Sequence, residues 1–99
     1  MAQHVKTHRF EADWQALTSD QRKVFVAALL NFEADLASGR FRDSLGVRQI
    51  PGTQGAREMT WTPGGRATFE VDGEPPETRT VVWRRVAVLP DTATPIGEG

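Results

Sequence analysis

The chain has no cysteine and no tyrosine among its 99 residues. Lacking cysteine, it forms no disulfide, no thiolate metal site and no thiol redox centre, which fits a reducing cytoplasm. No apolar run approaches the roughly 20 residues of a membrane helix. The N-terminus, Met1-Ala2-Gln3-His4-Val5-Lys6, lacks the basic-then-apolar pattern of a signal peptide. The expectation is a cytoplasmic protein without a membrane partner. Excess positive charge is also missing. Twelve Lys and Arg stand against thirteen Asp and Glu, for a formal net charge of −1, whereas proteins that bind phosphate backbones are usually basic. Distribution tells more than the sum. Eight arginines and no lysine lie between Arg40 and Arg85, and the planar guanidinium fork suits bidentate phosphate contact. An arginine-rich solvated surface gives the same composition. Hydrophobic residues make up 38% and charged residues 25%, which predicts a folded chain, and the length suits one domain with a modest core.

What is present centres on Arg57 to Val71, which reads as a β-hairpin around Thr62-Pro63-Gly64-Gly65. Proline presets φ at the first central turn position, and glycine follows, the residue that takes positive φ without steric cost. A three-residue loop with Gly65 as a left-handed bulge pairs Trp61 with Ala67 and Met59 with Phe69. A two-residue loop pairs Trp61 with Arg66 and mixes apolar with polar side chains, so the three-residue loop is preferred. That register gathers Met59, Trp61, Ala67, Phe69 and Val71 on one face and Glu58, Thr60, Arg66, Thr68 and Glu70 on the other.

Elsewhere the patterns are simpler. Val5 to Phe10 predicts a short first strand. Phe10, Trp14 and Leu17 recur at helical spacing, and a second, longer helix runs from a capping signal at Thr18 and Gln21 to Ser38, with Gly39 ending it. Its stripe is Phe25, Leu29, Phe32 and Leu36. The two form a helical hairpin whose apolar stripes are core. Arg40-Phe41-Arg42 and the following Leu45, Val47 and Ile50 make a connection and a short strand ending at Pro51-Gly52, with Arg40, Arg42 and Arg48 along one edge of a groove. Asp72 to Glu77, acidic and holding two prolines, predicts a loop. Thr80 to Val88 is a strand, nearly continuous in apolar residues and so expected to be buried on both sides apart from Arg84 and Arg85. Alternation allows at most one of those two arginines on the polar face. Residues 89–99 have no periodicity and predict a flexible tail after a single domain over residues 1–88. His4 and His8 lie four apart, but nothing completes a metal site, and no cofactor is implied. The fold class is α+β, an N-terminal helical hairpin packed on one face of a small antiparallel sheet.

Several segments resemble the RelE/ParE superfamily of bacterial toxins: Gly39-Arg40-Phe41-Arg42, Leu45-Gly46-Val47, Glu58-Met59-Thr60-Trp61, Gly65-Arg66-Ala67-Thr68-Phe69 and Val82-Trp83-Arg84-Arg85-Val86. The resemblance spans Phe10 to about Val86 and lies in the order and spacing of the segments. It implies the toxin of a type II toxin-antitoxin system, neutralised by a cognate antitoxin protein. Many members cleave mRNA, often on the ribosome, and others poison DNA gyrase without cutting. In the RNA-cleaving members an arginine at the start of the strand after the hairpin turn contacts the scissile phosphate, and Arg66 matches it. Similar sequences run from the Trp-Arg-Arg strand into Gly-Thr-His, where this chain has Ala87-Val88-Leu89-Pro90-Asp91-Thr92 and so departs from the pattern.

Cleavage of this kind joins an RNA 2′-OH to the adjacent phosphate. It calls for a base, for cations on the developing charge and for an acid at the leaving oxygen. Arg66 is the expected cation, helped by Arg57, Arg84 or Arg85. Glu58 is the one obvious base on the polar face, and equally a cross-strand partner for an arginine. Arg40, Arg42, Arg48 and Arg57 are the expected substrate contacts. A gyrase inhibitor, or an inactive toxin remnant that still binds an antitoxin, is the alternative, since the departure after Val86 removes the expected acid.

Overall fold

A computed structural model describes residues 2–73 and 79–89. Most of the expected acidic loop and the tail from Pro90 lie outside the described residues. The chain order is β1 (Gln3–Lys6), α1 (His8–Ala16), α2 (Ser19–Ser38), a 3-10 turn (Asp43–Leu45), β2 (Arg48–Gln49), β3 (Arg57–Thr62), β4 (Gly65–Asp72) and β5 (Thr80–Val88). The five strands form one sheet in the order β1-β5-β4-β3-β2. All pairings are antiparallel except β1 with β5, which is parallel, so the sheet is mixed. The architecture is α+β, with the helices against one sheet face. The first strand stops at Lys6, short of the expected Phe10, because Thr7 takes an extended conformation and caps α1 through its hydroxyl, which accepts from the Phe10 N–H.

The helices begin and end where their side chains dictate. The Thr18 hydroxyl accepts from the Gln21 N–H, and the Gln21 side chain accepts from the Thr18 N–H, so two N–H groups that a helix start leaves unpaired are satisfied reciprocally. Gly39 closes α2 with φ of 83°, the left-handed conformation that only glycine adopts without cost. Between the helices and the sheet, Phe10, Phe25, Phe32, Met59, Trp61, Phe69 and Trp83 form one buried cluster. The Phe32 ring meets Phe69 edge-on at 5.0 Å and Trp83 at 5.1 Å, within the range where aromatic pairs attract beyond simple burial.

The hairpin corrects the expected register while keeping its faces. Thr62 pairs with Gly65, so the loop is the two residues Pro63 and Gly64. Gly64 carries the positive φ, at 76°. Gly65 does not. A Cβ there would collide with the Thr62 methyl and lie 2.9 Å from the Trp61 indole. The irregularity falls instead between Thr60 and Thr62 on β3, and Met59 faces Ala67 while Arg57 faces Phe69. A proline-glycine turn of this hand does not match strand twist, and an extra residue at Trp61 takes up the mismatch and turns the indole into the core.

Strand β5 also differs from expectation. It is not buried on both sides. Val81, Trp83 and Val86 face the core, while Val82 is half-buried and Arg84 is exposed. The pairing with β4 shifts between Thr68↔Arg85 and Phe69↔Trp83, leaving Arg84 as an extra residue. Such a bulge re-aims side chains, and it overturns the expectation that only one of the two arginines reaches the polar face.

Candidate nucleic-acid interface

The sheet surface away from the helices is built by alternation. Met59, Ala67 and Val86 pair across β3, β4 and β5 in the core, so the next rung, Glu58, Thr68 and Arg85, faces outward, as do Thr60, Arg66 and Ala87. Arg66 therefore stands on the outer face of a central strand, opposite the helices. Its Nε is 3.8 Å from Glu58 Oε1, and one terminal nitrogen donates to the Gly65 carbonyl. Arg48, paired with Glu58 across β2 and β3, donates two hydrogen bonds to the same Oε1, at 3.2 and 2.9 Å.

Glu58 is 2% exposed, an uncommon position for a carboxylate on an outer sheet face. Burying a charge is costly unless it is paired and hydrogen-bonded, and here two guanidinium groups lie over it. Its Oε2 has no hydrogen-bond partner among the described residues. The arrangement fixes two cations on one carboxylate, with Arg48 projecting into solvent and Arg66 less so. Positive charge is thereby held in place before any anion arrives, which is the condition under which cations stabilise developing negative charge best.

The other arginines divide between the faces. Arg85 is tied to Asp13 of α1 by two side-chain bonds, the shorter at 2.7 Å, and the same carboxylate accepts from the Val86 N–H. Past the end of β1 the edge of β5 would leave that N–H unpaired, and Asp13 takes the place of a strand partner. This bond raises the Arg85 pKa further above its ordinary value. Arg84 donates to Glu70 at 3.0 Å on the surface. Arg42 is bound at the end of α2, where its Nε and one terminal nitrogen donate to Asp35 at 2.8 and 2.9 Å and its backbone N–H donates at 2.9 Å. Those bonds hold Asp35 at about 2, well below its ordinary 3.8. Arg42 thus braces the helix end. Arg57, opposite Phe69, lies on the helix side of the sheet beside Leu36, Phe41 and Arg79. Arg40 follows α2 on the surface. Of the expected edge formed by Arg40, Arg42 and Arg48, only Arg48 joins Arg66.

Two constellations have no local sequence signal. One is Asp13 beneath Arg85, 72 residues apart in the chain. The other is His4, whose Nδ1 accepts from the Trp83 indole N–H at 2.9 Å while Nε2 meets the Glu33 carboxylate. His4 thus serves the helix side, and His8 is exposed at the first residue of α1.

No family model matches the chain, and no curated protein matches it in sequence. Among solved structures it is similar to a chain of the RelB-RelE antitoxin-toxin complex from Methanococcus jannaschii. The TM-score is 0.59 and the identity 19%, over 85% of this chain and 88% of that one. At that identity the likeness is one of fold, and the two helices with their five-stranded sheet are the RelE-like α+β arrangement.

Proposed function

We propose that the chain is the toxin of a type II toxin-antitoxin pair and acts as an mRNA endonuclease through the outer face of its sheet. The observation that carries this reading is the placement of Arg66 on that face, with Arg48, over one buried carboxylate. A phosphate seated there receives guanidinium donors whose orientation is already set, and that is worth most when charge accumulates on the phosphorus in the transition state. The RNA 2′-oxygen attacks in line, the bond to the 5′-oxygen breaks, and a 2′,3′-cyclic phosphate and a 5′-hydroxyl result. The 2′-proton is lost to a base and the departing 5′-oxygen gains one. Glu58, with Oε1 taken up by arginines and Oε2 buried, is better placed to position Arg48 and Arg66 than to receive that proton. Proton transfer then falls to water or to groups of the ribosome. The proposed protein partner is a cognate antitoxin, supported by the likeness of fold to a chain of a RelB-RelE complex.

The test is cleavage of RNA, free and on ribosomes, by the purified chain and by Arg66→Ala, with cyclic phosphate ends as the readout. A loss on the order of a hundredfold is expected, and undiminished cleavage by the variant rejects the assignment. A second reading rests on the sequence after Val86, Ala87-Val88-Leu89-Pro90-Asp91-Thr92, where similar toxins carry a histidine: a non-cleaving toxin that inhibits DNA gyrase, or a remnant that retains antitoxin binding. Intact mRNA with a DNA-damage response on expression selects gyrase, and unimpaired growth selects the remnant.

A further inference from the structure

Beside the Arg66 cluster, the outer face holds a cavity of about 470 Å³, within the range of small-ligand pockets, about 300–1,000 Å³. The loop of residues 50–56 forms one wall and the start of α1 the other, with Thr68, Glu70, Arg84 and Arg85 between them. Its charged lining is three arginines, the third being Arg9, against one glutamate. The loop wall is fixed by its own bonds, Ile50 N–H to the Ala56 carbonyl at 2.9 Å and Thr53 hydroxyl to the Ile50 carbonyl at 2.7 Å.

The bulge in β5 makes this cavity cationic. Trp83 and Val86 both point into the core, so the two arginines between them both project outward. A ladder without the extra residue would satisfy the core equally well and would present one guanidinium in place of two. The two are held differently. Arg85 is secured by Asp13. Arg84 has a single bond to Glu70, with 54% of its side chain exposed. An exposed pair of that kind is worth little, so an incoming phosphate can take Glu70's place. Arg9 has no ion pair among the described residues. Thr68 lies two residues along β4 from Arg66, a distance of ~7 Å in an antiparallel strand, so a bound chain would pass directly from one cluster to the other.

We propose that this cavity is a nucleotide subsite for single-stranded RNA, with Arg84 and Arg9 on the phosphate and the base against the Ile50–Ala56 wall. The inference rests on the RNA reading above and adds where the strand next to the scissile phosphate lies. Single-strand sites pair a cationic track with side chains that meet the bases; beside the paired guanidiniums this wall offers Ile50 as an apolar contact and Thr53 and Gln54 as hydrogen-bonding groups. An acidic peptide would need the cations alone.

The experiment measures binding of a short single-stranded 2′-O-methyl RNA, which cannot be cleaved, by fluorescence anisotropy between about 50 and 200 mM salt. Two variants are compared with the parent: Arg84→Ala, and deletion of Arg84, which restores an uninterrupted ladder. Thermal unfolding checks that each is folded. Both are expected to bind about tenfold more weakly, with a salt slope smaller by about one. Unchanged affinity and slope in a folded variant overturn the subsite and leave the Arg66 reading standing. Failure of the parent to bind RNA at the lowest salt overturns the subsite, and absence of cleavage both free and on ribosomes overturns the RNA reading. Displacement of the RNA by oligoglutamate more readily than by unlabelled RNA assigns the cavity to an acidic protein partner and also overturns the proposal.

Discussion

The two faces of the sheet solve opposite problems with the same strands. On the helix side, Met59, Phe69, Val81 and Trp83 are shielded almost completely and pack with Phe32 in an aromatic cluster. Stability there comes from area removed from water and from close packing. On the outer side the buried groups are polar, Thr68 and the Glu58 carboxylate, and arginines shield the carboxylate. An apolar side chain in place of Glu58 would cover the same area without needing charged partners, and replacing buried ion pairs by apolar groups is often neutral or stabilising. The comparison separates what holds the fold together from what it is built to present.

Substitutions on each face should therefore fail in different ways. The largest effect belongs to the core. Phe32→Ala should cost ~3–5 kcal/mol out of a typical total of roughly 5–15 kcal/mol, read as a lower urea midpoint. Arg66→Ala should reverse the pattern. Its cleavage loss on the order of a hundredfold corresponds to about 2.7 kcal/mol in the barrier, while its unfolding midpoint falls by less than that of Arg48→Ala, since Arg66 stands 3.8 Å from Glu58 and Arg48 supplies the hydrogen bonds. A large drop in stability would mean that Arg66 is structural and would erase the distinction between faces. Arg48→Ala falls between them. It removes two hydrogen bonds from a buried carboxylate and should destabilise by about 1–3 kcal/mol, measured by the same titration.

The smallest effect is in acid and tests the C-terminal end of α2. Asp35 is held at about 2 against an ordinary 3.8 by Arg42. Its folded pKa is depressed, so its contribution is complete above the ordinary value and is lost as pH falls through the folded one. Asp35→Asn should flatten the decline in stability between about pH 4 and about pH 2. An identical decline in parent and variant would contradict that coupling.

The fold was legible to the extent that it follows from short-range patterns. The capping box at Thr18, the left-handed Gly39, the helical stripe through Phe32 and the limits of β5 are each set by residues within a few positions of one another. The two bulges were not legible. Each shifts alternation by one residue, at Trp61 and at Arg84, and what fixes them is the fit of the indole and the core demand of Trp83 and Val86 across the sheet. Outward placement of Arg66 and Glu58 followed from alternation, whereas the burial of Glu58 did not, because it depends on where Arg48 reaches from another strand. The same reason hid Asp13 beneath Arg85. Guanidinium side chains are long, and their partners come from the tertiary fold rather than from neighbours in sequence.

The proposed action of the outer-face guanidinium groups on RNA can be read in cells. Its most direct test is induction of the parent and of Arg66→Ala in growing cells, with transcript ends mapped across the transcriptome. Growth arrest with new mRNA 5′ ends is expected for the parent, and neither for a variant that accumulates to the same level. Arrest by the parent with unbroken transcripts, or identical cleavage by both, would contradict it.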